Sequence, residues 1–208
     1  MKSIFSSFSG APALLLSLVL GIGPVSGLNA AVSNAGILNP GFEEGLTDWD
    51  TAGDGPSFNA ESSGGNTGAY VSINHNAGNW AVLVANDNAI IPLTEMGLTA
   101  GNTYQFFLDM KIESGSANSN IGGLKGDFFT GTDLTGSTGN VYPTLIGDGS
   151  TWQTYAFNIS IAAGTDGVKI VPLWGGNSHV GYDNIAYDNS PYVPPMTTYT
   201  WSGGDGDW

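Results

Sequence analysis

Residues 153–161 read Gln153-Thr-Tyr-Ala-Phe-Asn-Ile-Ser-Ile161, an alternation of large apolar side chains with small or polar ones. In an extended chain, Tyr155, Phe157 and Ile159 point to one side, and the residues between them point to the other. A period of two with one apolar face is typical of an antiparallel strand that is buried on one side only. The segment therefore predicts a strand at the surface of a buried core.

Apolar runs of strand length recur along the chain, and no comparable run has a helical period. Glycine, asparagine, aspartate and serine separate the runs, and the 208 residues include 32 glycines, which favours many turns. We therefore predict an all-β fold, an antiparallel two-sheet β-sandwich of the jelly-roll kind with at least eight strands. Segments 113–123 and 130–140 are predicted loops. The further predicted strands are 37–42, 69–73, 80–85, 103–112, 126–129, 167–174 and 179–187.

Residues 1–31 have the features of a secretory signal peptide. Lys2 provides a positive start, residues 11–22 form an apolar run, and small residues at 27–31 offer cleavage sites. Glycines and a proline interrupt the run before it reaches the length of about 20 residues that a membrane-spanning helix needs. We expect a secreted, extracellular or cell-surface protein without a membrane span in the mature chain; a membrane anchor is the alternative.

The C-terminal segment 191–208 begins with a proline-rich stretch typical of an extended linker. Residues 199–208, Tyr-Thr-Trp-Ser-Gly-Gly-Asp-Gly-Asp-Trp, resemble the opening of an autotransporter-associated β-strand repeat. We expect this segment to tether the domain to further modules, with an unstructured tail as the alternative. The intervening residues 32–190 have the length of one domain.

The charge balance excludes several functions. The chain has 18 acidic residues against four lysines and no arginine, for a net charge of −14, which repels nucleic-acid phosphates. It has no cysteine, so disulfides and thiolate chemistry are excluded. Its two histidines are not at ligand spacing, so no zinc site is expected.

Four segments, in order, carry a family resemblance: Leu38-Asn-Pro-Gly-Phe-Glu-Glu-Gly-Leu-Thr-Asp-Trp49, Leu98-Thr-Ala-Gly-Asn-Thr-Tyr-Gln-Phe106, Trp152-Gln-Thr-Tyr-Ala-Phe157 and Val180-Gly-Tyr-Asp-Asn-Ile185. They resemble carbohydrate-binding modules of the CenC type (families 4, 9, 16 and 22), which have a galactose-binding-domain-like jelly roll. The resemblance covers residues 37–188. It implies a non-catalytic module that binds a polysaccharide or oligosaccharide and anchors a larger extracellular protein to it.

The resemblance also implies a structural calcium ion. Its side-chain ligands would be Glu43 and Asp183, with a carbonyl near Gly41 as a third ligand. In a jelly roll the first and last strands can lie side by side, and two carboxylates buried together repel each other unless a cation lies between them. The alternative is that Glu43 caps a surface turn and Asp183 accepts hydrogen bonds at a strand end.

A sugar site needs an exposed aromatic ring beside neutral polar groups. Trp80 follows an amide-rich loop that includes Asn79, and Trp174 precedes a polar loop that includes Asn177 and His179. We expect these two tryptophans to be the stacking platforms and the three polar residues to hydrogen-bond the sugar. Partial burial of each tryptophan in the core is the alternative.

The remaining aromatic residues are weaker platform candidates. Trp49 and Trp152 lie inside the segments that carry the family resemblance, so we expect them to pack in the core or against loops. Tyr70, Phe128 and Tyr142 are further candidates for sugar contacts.

The acidic residues do not indicate catalysis, because most of them lie in glycine-, serine- and asparagine-rich loops, where they favour turns. Neither a nucleophile elbow nor a phosphate-binding loop is present. We therefore expect the chain not to be an enzyme. Two alternatives to a carbohydrate-binding module stay open: a structural or adhesive module of a bacterial surface protein, and part of a glycoside hydrolase or lyase.

Overall fold

The computed structural model describes residues 32–74, 80–114, 121–142, 151–175 and 179–194. The predicted signal peptide, 1–31, lies outside these ranges, as do Asn79, Asn177 and all of the predicted linker and repeat beyond residue 194. Those expectations stay predictions.

Within the described residues, strands and turns dominate, with a single helical turn α1 (Leu93–Met96) and a 3-10 turn at Asn86–Asn88. None of these helical segments is long and apolar enough to cross a membrane. The strands are β1 (Val32–Ser33), β2 (Trp49–Gly53), β3 (Ser57–Glu61), β4 (Tyr70–Asn74), β5 (Trp80–Ala85), β6 (Ile91–Pro92), β7 (Thr103–Ser114), β8 (Ile121–Thr130), β9 (Asp133–Tyr142), β10 (Gln153–Ser160), β11 (Gly167–Gly175) and β12 (His179–Asp188).

The strands form two sheets. Sheet A has the order β10-β7-β12-β4-β3 with β1 beside β12, and sheet B has the order β2-β5-β11-β8-β9 with β6 beside β11. Every pairing among the described strands is antiparallel. The predicted all-β, two-sheet antiparallel sandwich is confirmed. The first and last strands are neighbours, because β1 pairs with β12.

The core lies between the two sheets and follows the predicted alternation. On β10, Tyr155, Phe157 and Ile159 are buried, whereas Thr154 and Ala156 are exposed. The apolar side chains of β7 and β12 extend the same core, which therefore separates the outer face of sheet A from the outer face of sheet B.

Two loop predictions are wrong. Residues 133–142 form β9, which pairs with β8 along its length, although 130–140 was predicted as a loop. Backbone hydrogen bonds to a single neighbour suffice for an edge strand, so its glycine, serine and threonine side chains give no apolar signal. The predicted loop 113–123 is shorter than expected, because β7 continues to Ser114 and β8 begins at Ile121.

The predicted strand at 37–42 is also wrong, because this segment forms turns. Asn39 adopts a left-handed conformation with φ of 45°, and its side-chain amide donates to the Gly45 and Thr47 carbonyls. The Asn-Pro-Gly sequence thus favours a turn over an extended chain. The turn still lies against β12, since the Ile185 amide donates to the Pro40 carbonyl at 2.9 Å.

Candidate functional site

The outer face of sheet A carries two aromatic rings beside an ion pair. The rings of Tyr70 and Trp152 meet edge to face, with centroids 5.4 Å apart and an interplanar angle of 84°. The ammonium group of Lys111 lies 4.5 Å from the centroid of the tyrosine ring and 4.8 Å from that of the indole. Glu113 pairs with this ammonium at 3.4 Å. We call these residues, together with Ser72, the aromatic cluster.

The register of sheet A explains why the aromatic cluster forms. Gly181 on β12 lies between Ser72 on β4 and Lys111 on β7. A Cβ at this glycine would come within 2.9 Å of Cη2 of the Trp152 indole. The missing side chain therefore leaves the space in which the indole lies across the sheet.

The carboxylate of Glu113 is held by three donors. It accepts hydrogen bonds from the Tyr70 hydroxyl at 2.5 Å and from the Ser72 hydroxyl, and it pairs with Lys111. Burial alone would raise the pKa of Glu113, but the hydrogen bonds from Ser72 and Tyr70 and the charge of Lys111 outweigh it and lower the pKa. Burial and the bond to Glu113 raise the pKa of Tyr70. At neutral pH the site therefore presents a fixed carboxylate and a protonated phenol.

Trp152 is partly exposed, and its orientation is fixed by a hydrogen bond. The indole N–H donates to the Gly64 carbonyl at 3.0 Å, and Lys111 Nζ donates to the same oxygen at 3.4 Å. Trp152 is therefore not a core residue but packs against the segment 64–69, which is the second of the two arrangements expected for it. The alternation in residues 153–161 could have predicted that Trp152 faces outward. Position 152 is two residues before Thr154, which points away from the core, and residues two apart on a strand share a face.

The two predicted platform tryptophans differ in exposure. Trp80 begins β5 and is 53% exposed, on the outer side of sheet B, since Ala81 and Leu83 point into the core. Trp174 is only 1% exposed, so the prediction that it forms a stacking platform is wrong. Its indole fills space above Gly122 of β8, where a Cβ would come within 2.5 Å of the ring.

The other predicted sugar contacts whose side chains the structure describes do not share a sheet face with Trp80. His179 belongs to sheet A, where it pairs with Asn74 of β4, whereas Trp80 belongs to sheet B. Phe128 is 2% exposed and lies in the core, so it is not available to a ligand. Asn79, Asn177 and the side chain of Tyr142 lie outside what the structure describes.

Trp49 packs as expected. It is 4% exposed, its ring lies 4.9 Å from that of Phe42, and its indole N–H donates to the Asn39 carbonyl. It therefore stabilises the turn that precedes β2.

The three predicted metal ligands come together. A Cβ on Gly41 would lie 3.9 Å from Asp183 Oδ1 and 3.9 Å from Glu43 Cγ. The Glu43 carboxylate accepts a hydrogen bond from the Ala69 amide at 3.3 Å. Asp183 is fully buried and accepts from the Thr67 amide at 3.1 Å. The segment 64–69 therefore binds both carboxylates.

Asp183 has an unfavourable environment for a charge. Burial raises its pKa, backbone hydrogen bonds from Thr67, Asn184 and Asn66 oppose this, and the charge of Asp109 raises the pKa further. None of the ion pairs between described side chains includes Asp183, Asp109 or Glu43. The described residues hold no group of three histidine, aspartate or glutamate side chains arranged to bind a metal. A metal here would need backbone or amide oxygens in addition to the two carboxylates.

An open cleft of about 630 Å³ lies beside Glu43 and the residue that follows Asp183, Asn184. It runs between the turns of residues 34–48 and β12, and its walls include Gly41, Glu43 and Asn184. Its polar lining is oxygen-rich, because Glu44 and Asp48 also contribute.

No protein-family model matches the chain, and no curated protein matches it. Solved structures do match. TmCBM61, in complex with β-1,4-galactotriose, is similar with a TM-score of 0.52 at 19% identity, over 74% of this chain and 98% of that one. The CBM22-2 xylan-binding domain of Xyn10C from Paenibacillus barcinonensis has a TM-score of 0.52 at 13% identity, over 72% of this chain and 96% of that one.

A third match is to the enzymatically active domain of tailspike protein 4 from bacteriophage CBA120, with a TM-score of 0.55 at 13% identity. It covers 74% of this chain, which spans only 21% of the tailspike chain. At these identities the likeness shows the fold. The expected β-sandwich fold is thereby confirmed.

Proposed function

We propose that the chain is a non-catalytic module that binds a neutral polysaccharide on the outer face of sheet A and anchors a larger extracellular protein to it. The observation that carries this proposal is the aromatic cluster, in which a partly exposed indole lies beside a hydrogen-bonded carboxylate and an ammonium group. The fold supports it, because matching domains include one named as xylan-binding and one bound to galactotriose.

Each member of the cluster has a role in this proposal. The C–H face of a pyranose stacks on the partly exposed ring of Trp152, and sugar hydroxyls bond to Glu113 and Lys111. Tyr70 and Ser72 hold Glu113 through their hydroxyls, so the carboxylate is oriented before the sugar arrives. This preorganisation reduces the entropic cost of binding. The net charge of −14 favours neutral glycans over acidic ones.

Secretion and tethering complete the proposal. The signal-peptide features of residues 1–31 support export, and the proline-rich start of 191–208 supports a connection to further modules.

We further propose that Glu43 and Asp183 hold a structural calcium ion, with an oxygen near Gly41 as an additional ligand. The donor set fits, because carboxylate and carbonyl oxygens are the ligands of this hard cation. A buried Asp183 beside Asp109, with no ion pair to a lysine among the described side chains, is the environment that a cation would stabilise. Calcium at a hundred times its dissociation constant would add about 2.7 kcal/mol to the unfolding free energy.

Chelation tests the calcium proposal. EDTA should lower the melting temperature of the wild-type chain, and Asp183→Ala should remove this sensitivity. Asp127→Asn, which changes a carboxylate on sheet B, should keep it. An unchanged wild-type melt with EDTA would contradict the calcium site.

Affinity electrophoresis tests the binding function. The chain is run through gels that contain soluble xylan, β-1,4-galactan, β-glucan or mannan, with and without calcium. Retardation in at least one gel is the expected result. Free migration in all of them would contradict the proposal and favour a structural or adhesive module. Release of reducing ends or unsaturated products from a glycan would favour a hydrolase or lyase.

A further inference from the structure

We propose that Asp109 is a positioning residue that fixes the orientation of Trp152 for stacking on a sugar. The inference rests on the proposed function, because it concerns how the same face of sheet A is held. Among the described residues, no hydrogen bond or ion pair joins Asp109 directly to Tyr70 or Trp152. It acts through the two chain segments that flank the indole.

The carboxylate of Asp109 lies on the outer side of β7 and is only 4% exposed. Its Oδ1 accepts a hydrogen bond from the Thr154 hydroxyl at 2.5 Å. Its Oδ2 accepts from the side-chain amides of Asn66 at 2.8 Å and Asn184 at 2.9 Å. One buried carboxylate therefore joins β10, β12 and the segment 64–69.

Two of these contacts lie next to the supports of Trp152. Thr154 follows the indole by two residues, and on an extended strand it points to the same side. Asn66 follows Gly64 by two residues, and the Gly64 carbonyl accepts the indole N–H. Asp109 thus forms hydrogen bonds with both the segment that carries the indole ring and the segment whose carbonyl accepts the indole N–H.

The energetics favour an orienting role over a stabilising one. Asp109 is buried near Asp183, and the two negative charges repel each other. Buried charges are weak evidence for stability, but their directional hydrogen bonds select one arrangement among alternatives. The arrangement selected here is that of the indole above Gly181.

The test removes the hydrogen bonds to Asp109 one at a time. Thr154→Val removes the hydroxyl that donates to Oδ1, and Asn66→Ala removes one amide that donates to Oδ2. Thr103→Val is the matched control, because the Thr103 and Ser160 hydroxyls form a 2.7 Å hydrogen bond between the same two strands, β7 and β10, at their other end. Trp152→Phe assigns the indole resonance of Trp152, and Trp152→Ala reports its contribution to binding.

Two readouts are compared: retention in gels of soluble xylan or β-1,4-galactan, and the indole ¹H–¹⁵N resonance of Trp152 without ligand. We expect Thr154→Val and Asn66→Ala to move the resonance and to weaken retention about three- to tenfold, the change that corresponds to the net contribution of one typical hydrogen bond. Thr103→Val should change neither. Melting temperatures identify any loss caused by unfolding.

The outcomes separate the two proposals. An unmoved resonance and unchanged retention in both variants would overturn the role of Asp109. A moved resonance with unchanged retention would also overturn that role if Trp152→Ala loses retention. If Trp152→Ala keeps full retention, binding does not use this face, and the proposed function of the face fails instead.

Discussion

The two outer faces of the sandwich each present a tryptophan, but the surroundings of the rings differ. On sheet B, Trp80 is the more exposed of the two, and its neighbours along the face, Val82 and Leu173, are apolar. On sheet A, Trp152 is less exposed, and polar groups with fixed orientation surround it. A sugar needs both a ring and oriented polar partners. Exposure alone therefore does not identify a binding platform.

The largest expected effect is a difference in stability between variants of Trp174 and Trp80, the two tryptophans predicted to be stacking platforms. Because Trp174 is buried in the core, Trp174→Ala should lower the unfolding free energy by about 3–5 kcal/mol. Trp80→Ala, at an exposed position, should change it by less than about 0.5 kcal/mol. Urea denaturation measures both values. Equal losses of unfolding free energy in the two variants would contradict the burial of Trp174 and the exposure of Trp80.

The next largest effect is a loss of stability from a substitution in the segment 64–69, which lies against the outer face of sheet A. Gly68 has a φ of 143°, and a Cβ there would come within 2.3 Å of Glu43 Oε1. Gly68→Ala should therefore lower the unfolding free energy by about 2–4 kcal/mol, from the backbone strain together with the displacement of the Glu43 carboxylate from its hydrogen bond with the Ala69 amide.

Gly131→Ala, in the β8–β9 turn of sheet B, is the control. This glycine has a φ of 60° but no atom within 4 Å of the added Cβ, so only the strain of about 1–2 kcal/mol applies. Equal losses from both substitutions in thermal denaturation would show that Glu43 does not crowd Gly68.

The smallest effect is a pH dependence of the unfolding free energy that arises from Glu113 on sheet A. Because the pKa of Glu113 is lowered in the folded chain, its stabilising contribution is complete above the unfolded value of about 4.3 and is lost as the pH falls through the folded value. The difference in unfolding free energy between wild type and Glu113→Gln should shrink between about pH 5 and pH 3, by less than about 1 kcal/mol, since the carboxylate is partly exposed.

Trp80→Ala on sheet B adds or removes no titratable group, so its difference from wild type should stay constant over this pH range. A difference for Glu113→Gln that grows as the pH falls would contradict the lowered pKa.

Periodicity predicted much of the fold. The alternation in β10 correctly assigned its buried and exposed faces, and the absence of a helical period correctly predicted the β-sandwich. The resemblance correctly brought Gly41, Glu43 and Asp183 to one place, while their role as calcium ligands stays a prediction. The β9 strand was missed because an edge strand needs backbone hydrogen bonds and no apolar pattern.

The positions of the tryptophans were harder to predict, because two of them depend on glycines that are distant in the sequence. Trp152 lies across sheet A only because Gly181 has no side chain, and Trp174 is buried only because Gly122 leaves space for it. No local pattern around either tryptophan reports these partners. Trp80 is exposed as predicted, and its contribution to binding stays a prediction.

The central claim is that the outer face of sheet A, and not that of sheet B, binds the glycan. The most direct measurement compares Trp152→Ala with Trp80→Ala by isothermal titration calorimetry against the oligosaccharide of the glycan that retards the wild-type chain. We predict that Trp152→Ala weakens binding by about 30-fold or more, a loss of roughly 2 kcal/mol, and that Trp80→Ala binds as the wild type does. Full affinity in Trp152→Ala with lost affinity in Trp80→Ala would contradict the account.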